Sequence, residues 1–338
     1  MYKLILKISL LGLLVISLGY TILAISIKYY PDIIFGDRSE YAMWSFQKEA
    51  MSCKYNVKLN AIIGDSRGMA SLNPLYLANS YRNFSMGGCT FFEGYITLKR
   101  LLKNNKLDTL ILCYGPSHFE KSNCLEERTL AYNFINLEDL NQLQNVEKQF
   151  NQVLDDNDFG TLTFQRQLIR FGKIKQFPLM WRETFINALS FNKSINISDR
   201  IEEMKLNKGH TLFGREISAD GLSVEAERKD FYYNKVVLSY LDSINTLVLE
   251  NNLRSFLIIP PFNTSTFRAV NKTNYFNSFS KTIELIKKKY PKMTIIYDSP
   301  FLANNMFGDP AHLNASGAKI FSTNIKGIIS NPAISLEK

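Results

Sequence analysis

The sequence predicts an α/β protein in which a parallel β-sheet lies between two layers of helices, preceded by one membrane-spanning helix. The sheet is predicted because short apolar segments alternate with amphipathic segments along most of the chain, an alternation typical of parallel sheets with crossover helices. The spanning helix is predicted because residues 1–30 hold one long apolar run. A polar stretch in the middle of the chain indicates an insertion between two halves of the sheet.

Residues 1–30 are predicted to form a transmembrane signal anchor. Residues 8–27 contain no charged side chain, and at about 1.5 Å per residue such a helix covers the roughly 30 Å of a bilayer's hydrocarbon core. A cleaved signal peptide, the alternative, has a shorter apolar core of about 7–15 residues. We therefore expect residues 8–27 to contact the lipid bilayer of the cell membrane, with the rest of this single-pass chain outside the cytoplasm.

The composition of the 338 residues limits the partners of the chain. Hydrophobic residues make up 46% and charged residues 21%, which fits one large or two ordinary domains with apolar cores. The formal net charge of +9 suits an anionic surface, but the lysines are spread out and no basic-aromatic motif occurs, so nucleic acid is not an expected partner. The four cysteines fit no metal-ligand spacing, and neither a metal nor an organic cofactor is implied. Whether Cys53 or Cys124 forms a disulfide is left open.

The chain after the anchor divides into a juxtamembrane segment (31–57), two halves of the sheet (58–119 and 229–332) and an insertion between them (120–228). The juxtamembrane segment and the first half are expected to contain helices at 41–51, 72–79 and about 92–102 and strands at 59–64, 82–86 and 108–114. The second half is expected to contain helices at 231–250, 274–289 and 315–329, strands at 255–259 and 293–298, and a loop at 301–314. Five parallel strands with interleaved helices predict a three-layer α/β/α, flavodoxin-like domain.

Residues 120–228 lack strong strand patterns and are predicted to form a mainly helical insertion lying over the sheet. Helical spacing of apolar residues occurs at 137–154, 162–171, 181–189 and 197–206, and residues 209–222 are predicted to be loop. Insertions at the carboxyl ends of strands commonly shape substrate or partner sites.

A serine follows the first predicted strand in the segment Gly64-Asp65-Ser66-Arg67-Gly68. A strand, a tight glycine turn and a helix together place a hydroxyl at a helix N-terminus, where N–H groups and the helix dipole stabilise a developing oxyanion. An ordinary turn between strand and helix is the alternative. In open α/β sheets, ligands bind beyond the carboxyl ends of the strands, and Ser66, Gly88 and Gly115 are all predicted to lie there.

A serine nucleophile needs an adjacent base, and the chain offers histidines at positions 118, 210 and 312. His312 comes three residues after Asp309, in the loop before the last predicted helix. An aspartate at this spacing reaches Nδ1 of the ring, which leaves Nε2 facing the serine. The sequence therefore predicts a triad of Ser66, His312 and Asp309. The alternative is an Asx turn at Asp309 and a surface histidine.

Three motifs resemble those of the SGNH (GDSL-like) hydrolase superfamily. They are Gly64-Asp65-Ser66, Asn83-Phe84-Ser85-Met86-Gly87-Gly88 and Asp309-x-x-His312. The resemblance covers residues 59–116 and 255–329 but not the insertion. It implies that Ser66 is the nucleophile, His312 the base and Asp309 its orienting partner. It also implies an oxyanion hole made by the N–H groups of Ser66 and Gly88.

One motif departs from the family pattern. After the third strand the family usually carries Gly-x-Asn-Asp, whereas this chain has Gly115-Pro116-Ser117-His118. Ser117 stands where the family's asparagine completes the oxyanion hole, and its hydroxyl is expected to donate instead. His118 either lines the pocket and binds substrate or is a structural histidine. Arg67 either binds an anionic group on the substrate or caps a carboxylate elsewhere.

The segment around Ser66 also satisfies the nucleophile elbow of α/β-hydrolases. That fold is disfavoured because Ser66 follows the first strand of the domain, not a central later one. In addition, Asp309 and His312 share one loop, whereas α/β-hydrolases take them from separate strand ends.

The layout resembles the D-alanyl transfer protein and the alginate and peptidoglycan O-acetylation proteins, which act with a membrane-bound O-acyltransferase. The resemblance implies an enzyme that transfers acyl groups, acetyl being expected, to or from a cell-envelope polysaccharide, with such an acyltransferase as partner. One alternative is a lipid or carbohydrate esterase that acts alone. Another is a degenerate SGNH domain that binds glycan or scaffolds a membrane complex, because the asparagine of the third motif is missing.

Overall fold

The computed structural model describes residues 2–29, 39–122, 124–155, 161–175, 197–214, 217–297 and 300–330. Its first element is helix α1 (Tyr2–Tyr29). Within it, the segment Tyr2–Ser26 has a mean hydropathy of 2.4 and is long and apolar enough to cross a membrane. No other helix of the described ranges meets both criteria. The predicted spanning helix is confirmed in this respect.

Five parallel strands form the main sheet, and two short parallel strands form a second one. The strands are β1 (Leu59–Gly64), β2 (Tyr81–Asn83), β3 (Leu107–Cys113), β4 (Arg254–Ile258), β5 (Phe262–Asn263), β6 (Met293–Ile296) and β7 (Phe301–Leu302). The main sheet has the order β2-β1-β3-β4-β6, and β5 pairs with β7. Each of the five strands predicted from the sequence is therefore present and parallel.

The helices after the anchor lie between and after these strands. They are α2 (Ser39–Ser52), α3 (Ser66–Ser71), α4 (Pro74–Leu77), α5 (Phe91–Asn104), α6 (Leu137–Phe150), α7 (Phe164–Ile174), α8 (Ile197–Leu206), α9 (Lys235–Glu250), α10 (Thr264–Val270), α11 (Tyr275–Lys289) and α12 (Ala315–Ser330). A π-helix, Leu125–Leu130, lies at the start of the insertion.

Helices cover both faces of the main sheet. Successive residues of a strand point to opposite faces, so Ile63 of β1 packs in one apolar cluster with α5, α9 and α11. Ile62 packs in a second cluster with α12 and the turn around Leu72. The sheet therefore lies between two helical layers, as the sequence predicts, and its strand ends remain open for loops.

The helix predicted at 72–79 is present only as the short α4 (Pro74–Leu77), and the helix that directly follows β1 begins at Ser66. The Asp65 side chain accepts a hydrogen bond from the Gly68 N–H and caps helix α3 there. The chain is extended at Leu72, and Asn73 then caps the short helix α4. The turn is thus tighter than predicted, with the serine in the first position of the helix.

Other predictions differ in length or fall outside the described residues. Helices α6, α7 and α8 confirm three of the four predicted helices of the insertion, and the fourth, at 181–189, lies outside the described residues. The pair β5–β7 was not predicted, because strands of two residues carry no periodic signal. The seven-residue helix α10 was not predicted either. The predicted loop at 301–314 therefore contains a strand and a 3₁₀ turn, Asn304–Met306.

Gly64 closes β1 against the end of β3, and no side chain fits at this position. A Cβ on Gly64 would lie 1.9 Å from the carbonyl oxygen of Cys113, whereas one on Gly327, exposed on α12, would meet nothing within 4 Å. We expect Gly64→Ala to lower the free energy of unfolding by about 3 kcal/mol. Gly327→Ala should raise it by up to about 1 kcal/mol. Urea unfolding of the full-length protein in detergent micelles, followed by circular dichroism, measures both, and equal midpoints would contradict the prediction.

Candidate active site

Three predicted side chains meet at the carboxyl end of the sheet. His312 Nε2 lies 2.8 Å from Ser66 Oγ, and His312 Nδ1 lies 2.8 Å from Asp309 Oδ2. The ring thus bridges the hydroxyl and the carboxylate, although 246 positions separate Ser66 from His312 in the chain. A neutral imidazole held in this way has the geometry of a general base.

Ser66 is held in place by the turn around Asp65. The buried Asp65 carboxylate accepts hydrogen bonds from the Gly68 N–H (2.9 Å) and from the Gly115 N–H at the end of β3 (2.8 Å). Gly64 and Gly68 both lie so close to the Cys113 carbonyl that a Cβ at either position would clash with it. The two glycines let the turn approach β3, and the aspartate ties it there, which directs Ser66 toward solvent.

The loop that carries Asp309 and His312 orders its own side chains. Asp309 Oδ1 accepts hydrogen bonds from the N–H groups of Ala311 and His312, and the Gly308 N–H donates to the His312 carbonyl. Burial raises the pKa of Asp309, but the hydrogen bonds from the His312 ring and from these backbone groups outweigh it, so the pKa is lowered from its ordinary value. Asp309 is therefore ionised at neutral pH and accepts a hydrogen bond from the Nδ1–H group of the His312 ring.

The N–H groups of Ser66 and Gly88 are free to bind a substrate oxygen. Neither donates a hydrogen bond to the residues that the structure describes. Gly88 has a φ of +83°, a value that favours glycine, and a Cβ there would lie 3.0 Å from Cys124 Cβ. A Cβ on the neighbouring Gly87 would lie 3.8 Å from Ser66 Cβ, so this turn lies beside the serine.

Ser117 and His118 lie in a buried 3₁₀ turn, Pro116–Phe119, after β3. Ser117 is buried, and its role as a third oxyanion donor stays a prediction. Burial, with a smaller contribution from Arg67, lowers the pKa of His118, and its Nε2 lies 3.2 Å from Asp65 Oδ2. The contact with Asp65 favours a structural role for His118, and substrate binding stays a prediction.

Arg67 caps a carboxylate, the second of its two predicted alternatives. Its Nη2 donates to both oxygens of Glu225 (2.7 and 2.6 Å), and both side chains are buried. Burial raises the pKa of Glu225, but the Arg67 charge and the Ser223 hydroxyl outweigh it and lower the pKa to about 2. The structure therefore favours this alternative over binding of an anionic substrate group, because Glu225 neutralises the charge of Arg67 inside the protein.

Residues 209–214 and 217–225 of the insertion lie over the site, and we call them the crossing loop. The Phe213 ring stacks on the His312 ring, with centroids 4.6 Å apart and planes at 25°. The backbone at Gly214 lies against Gly308, since a Cβ on Gly214 would be 1.9 Å from the Gly308 oxygen. The crossing loop therefore contacts the loop of the base directly.

The crossing loop also holds the nucleophile helix. The buried His210 ring places Nε2 3.0 Å from the Ala70 carbonyl of α3, and Glu225 binds Arg67 in the same helix. Sequence analysis missed Phe213 and Glu225 as site residues because neither lies in a periodic segment: Phe213 is in the predicted loop 209–222, and Glu225 follows that loop. The only indication of Glu225 in the sequence analysis was the alternative that Arg67 caps a carboxylate elsewhere in the chain.

No cluster of His, Cys, Asp and Glu in the described ranges is arranged to hold a metal ion, and all four cysteines are free. The disulfide left open for Cys53 or Cys124 is therefore absent. No model of a protein family matches the sequence, and no curated protein is significantly similar to it. Fold and site geometry are thus the grounds for a functional proposal.

The buried pair Arg67–Glu225 allows a test of the structural role of Arg67. Glu225→Gln leaves the guanidinium buried without a counter-charge, so we expect the free energy of unfolding to fall by about 3–5 kcal/mol at pH 7. The double variant Arg67→Met/Glu225→Met should recover most of this loss. Because the pKa of Glu225 is lowered in the folded protein, the stability that its charge provides persists above the unfolded-state pKa of about 4.3 and is lost only as pH falls toward 2.

Denaturant unfolding of the two variants beside the wild type measures this prediction. Unchanged stability of Glu225→Gln, together with a raised KM for an anionic ester, would contradict it and restore a substrate-binding role for Arg67.

Proposed function

We propose that this protein is a membrane-anchored serine enzyme of the SGNH type that transfers acyl groups of a cell-envelope glycan. The observation that carries the proposal is the contact of His312 with both Ser66 Oγ and Asp309. A surface histidine and an Asx turn, the structural alternative, would not require the ring to face a serine from the other end of the chain.

The mechanism follows from these contacts. His312 Nε2 takes the Ser66 proton as Oγ attacks the carbonyl carbon of an ester, and ionised Asp309 stabilises the imidazolium that forms. The N–H groups of Ser66 and Gly88 bind the oxygen that becomes negative. His312 then protonates the departing alcohol, which leaves the acyl group on Ser66. A second alcohol, or water, gives its proton to His312, takes the acyl group and restores the Ser66 hydroxyl.

The strand order of the main sheet supports the assignment to this fold type. Counted along the chain, its five strands stand in the order 2-1-3-4-5, which is the flavodoxin-like order. The nucleophile turn follows the first strand, and the loop of Asp309 and His312 precedes the last helix, as the resemblance implies. The proposed active site thus lies beyond the carboxyl ends of the strands, where open α/β sheets commonly bind their ligands.

The anchor favours a glycan of the envelope as substrate and a membrane-bound O-acyltransferase as partner. An enzyme tied to the bilayer by α1 gains access to acyl groups delivered there, an advantage that a soluble nutrient esterase does not need. The absence of an asparagine at position 117 favours a second candidate, a glycan-binding domain without catalysis. The triad contacts favour the enzyme, because a degenerate site has no need to keep the serine, histidine and aspartate in hydrogen-bond contact.

Ser66 is expected to carry hydrolysis of a simple ester. With full-length protein in detergent micelles, we expect Ser66→Ala to lower kcat/KM for p-nitrophenyl acetate by a factor of at least about 10⁴. Ser316→Ala, which changes an exposed serine of α12, is the matched control and should match the wild type. Equal rates for wild type and Ser66→Ala would leave a binding or scaffolding role. With the wild type, an added sugar acceptor should yield acylated sugar if the enzyme transfers rather than hydrolyses.

The proposed topology places the whole domain after α1 outside the cytoplasm. Protease added to intact cells should degrade this domain and leave a short membrane fragment that contains α1. A cytoplasmic protein monitored in the same sample controls for lysis. Protection of the domain in intact cells, with cleavage after permeabilisation, would overturn the topology.

A further inference from the structure

The structure assigns a second cation to the candidate active site, the guanidinium of Arg128. This residue lies in the π-helix Leu125–Leu130, and its Nη1 donates a hydrogen bond of 3.1 Å to the Gly87 carbonyl. A Cβ built on Gly87 would lie 3.4 Å from this Nη1 and 3.8 Å from Ser66 Cβ. The guanidinium nitrogen and Ser66 Cβ are therefore no more than about 7 Å apart. π-helical turns occur often at functional sites, and this one directs an arginine to the nucleophile.

The charge of Arg128 is available in a way that the charge of Arg67 is not. Its side chain is 30% exposed, and its ion pair with Glu40 of α2 has a separation of 3.6 Å between two partly exposed groups. Such an exposed, loose pair contributes little stability and is easily exchanged for another anion. Of the N–H donors of the Arg128 guanidinium, only Nη1 is engaged in a hydrogen bond to the described chain.

A guanidinium with free N–H donors binds carboxylate and phosphate groups in a planar fork. We propose that Arg128 binds an anionic group of the acylated glycan, so that the enzyme acts on a sugar bearing a carboxylate or a phosphate near its acyl ester. This deepens the proposed function and rests on it. The short distance between Arg128 and Ser66 limits the substrate, because the anionic group and the ester must then lie within one sugar unit of each other.

If Arg128 only links Glu40 to the Gly87 carbonyl and binds no substrate, its substitution should change the rates of charged and neutral substrates in a different way. Loss of this structural link would disturb the turn of Gly87 and Gly88, and with it the proposed oxyanion hole, so the rates of all esters would fall alike. Loss of an anion-binding group affects only esters that carry the anion. The comparison of charged and neutral substrates therefore separates the two roles.

The experiment uses full-length protein in detergent micelles and three matched substrates: O-acetylated glucose, O-acetylated glucuronic acid and O-acetylated glucose 6-phosphate. We expect Arg128→Gln to lower kcat/KM for one or both anionic sugars about 10- to 100-fold, the range for a lost charge-assisted hydrogen bond. The rate with acetylated glucose should change less than about threefold. Arg128→Lys should retain part of the preference, and the carboxylate and phosphate arms identify which anion is bound.

Arg100→Gln is the matched control, because Arg100 also donates to a backbone carbonyl, that of Phe134, and has no predicted role in the site. It should leave the ratio of anionic to neutral rates unchanged. An equal fall for neutral and anionic sugars in Arg128→Gln, or no change in the ratio, would overturn the inference.

A binding measurement keeps this result apart from failure of the proposed function. In the Ser66→Ala background, calorimetric titration with glucuronate and with glucose 6-phosphate should show weaker binding when Arg128 is also changed to glutamine. Ser66-independent hydrolysis would refute the proposed mechanism while leaving this binding difference in place. Binding that does not depend on Arg128, for both anions, would overturn the subsite even if Ser66 proves catalytic.

Discussion

The site depends first on the buried carboxylate of Asp65. It accepts hydrogen bonds from the Gly68 and Gly115 N–H groups and lies against His118, so it joins the end of β1, the start of α3 and the loop after β3. A buried carboxylate is stable only when its oxygens are satisfied. This requirement ties the serine turn to the neighbouring strand, and only glycines at positions 64 and 68 allow the close approach. The orientation of Ser66 thus follows from the hydrogen bonds that the buried Asp65 carboxylate must accept.

The second dependence is on the crossing loop, which contacts both halves of the proposed triad. Glu225 neutralises Arg67 beside the nucleophile, and Phe213 stacks on the His312 ring. A hydrogen bond of 2.8 Å between Ser66 and His312 requires that two separate loops be held in one relative position. The insertion therefore does more than lie over the sheet, because its last segment links the nucleophile helix to the loop of the base.

How far the site is predictable from sequence follows from how local each contact is. The start of α3 was missed, although an aspartate before Ser66 is a known N-cap signal. Asp309 and His312 were predictable because a spacing of three residues brings their side chains together within one turn. Phe213 and Glu225 were not, since their partners lie far away in the chain and their own segment has no periodic pattern. The five strands were predictable because each is apolar over its whole length, whereas the pair β5–β7 is too short to leave a signal.

The length of the connection between α1 and α2 limits the distance of the candidate site from the membrane. Ten peptide steps from Tyr29 to Ser39 span at most about 36 Å, and the next residue, Glu40, lies 3.6 Å from Arg128 at the site. If α1 crosses the bilayer, the site is therefore confined to a few tens of ångströms from its surface. For the proposed function, that distance would bring the site within reach of an acyl donor in the membrane and of a glycan chain still close to its membrane anchor. Because the pair of Glu40 and Arg128 is loose, the anionic group of the proposed substrate would compete with Glu40 for the Arg128 guanidinium.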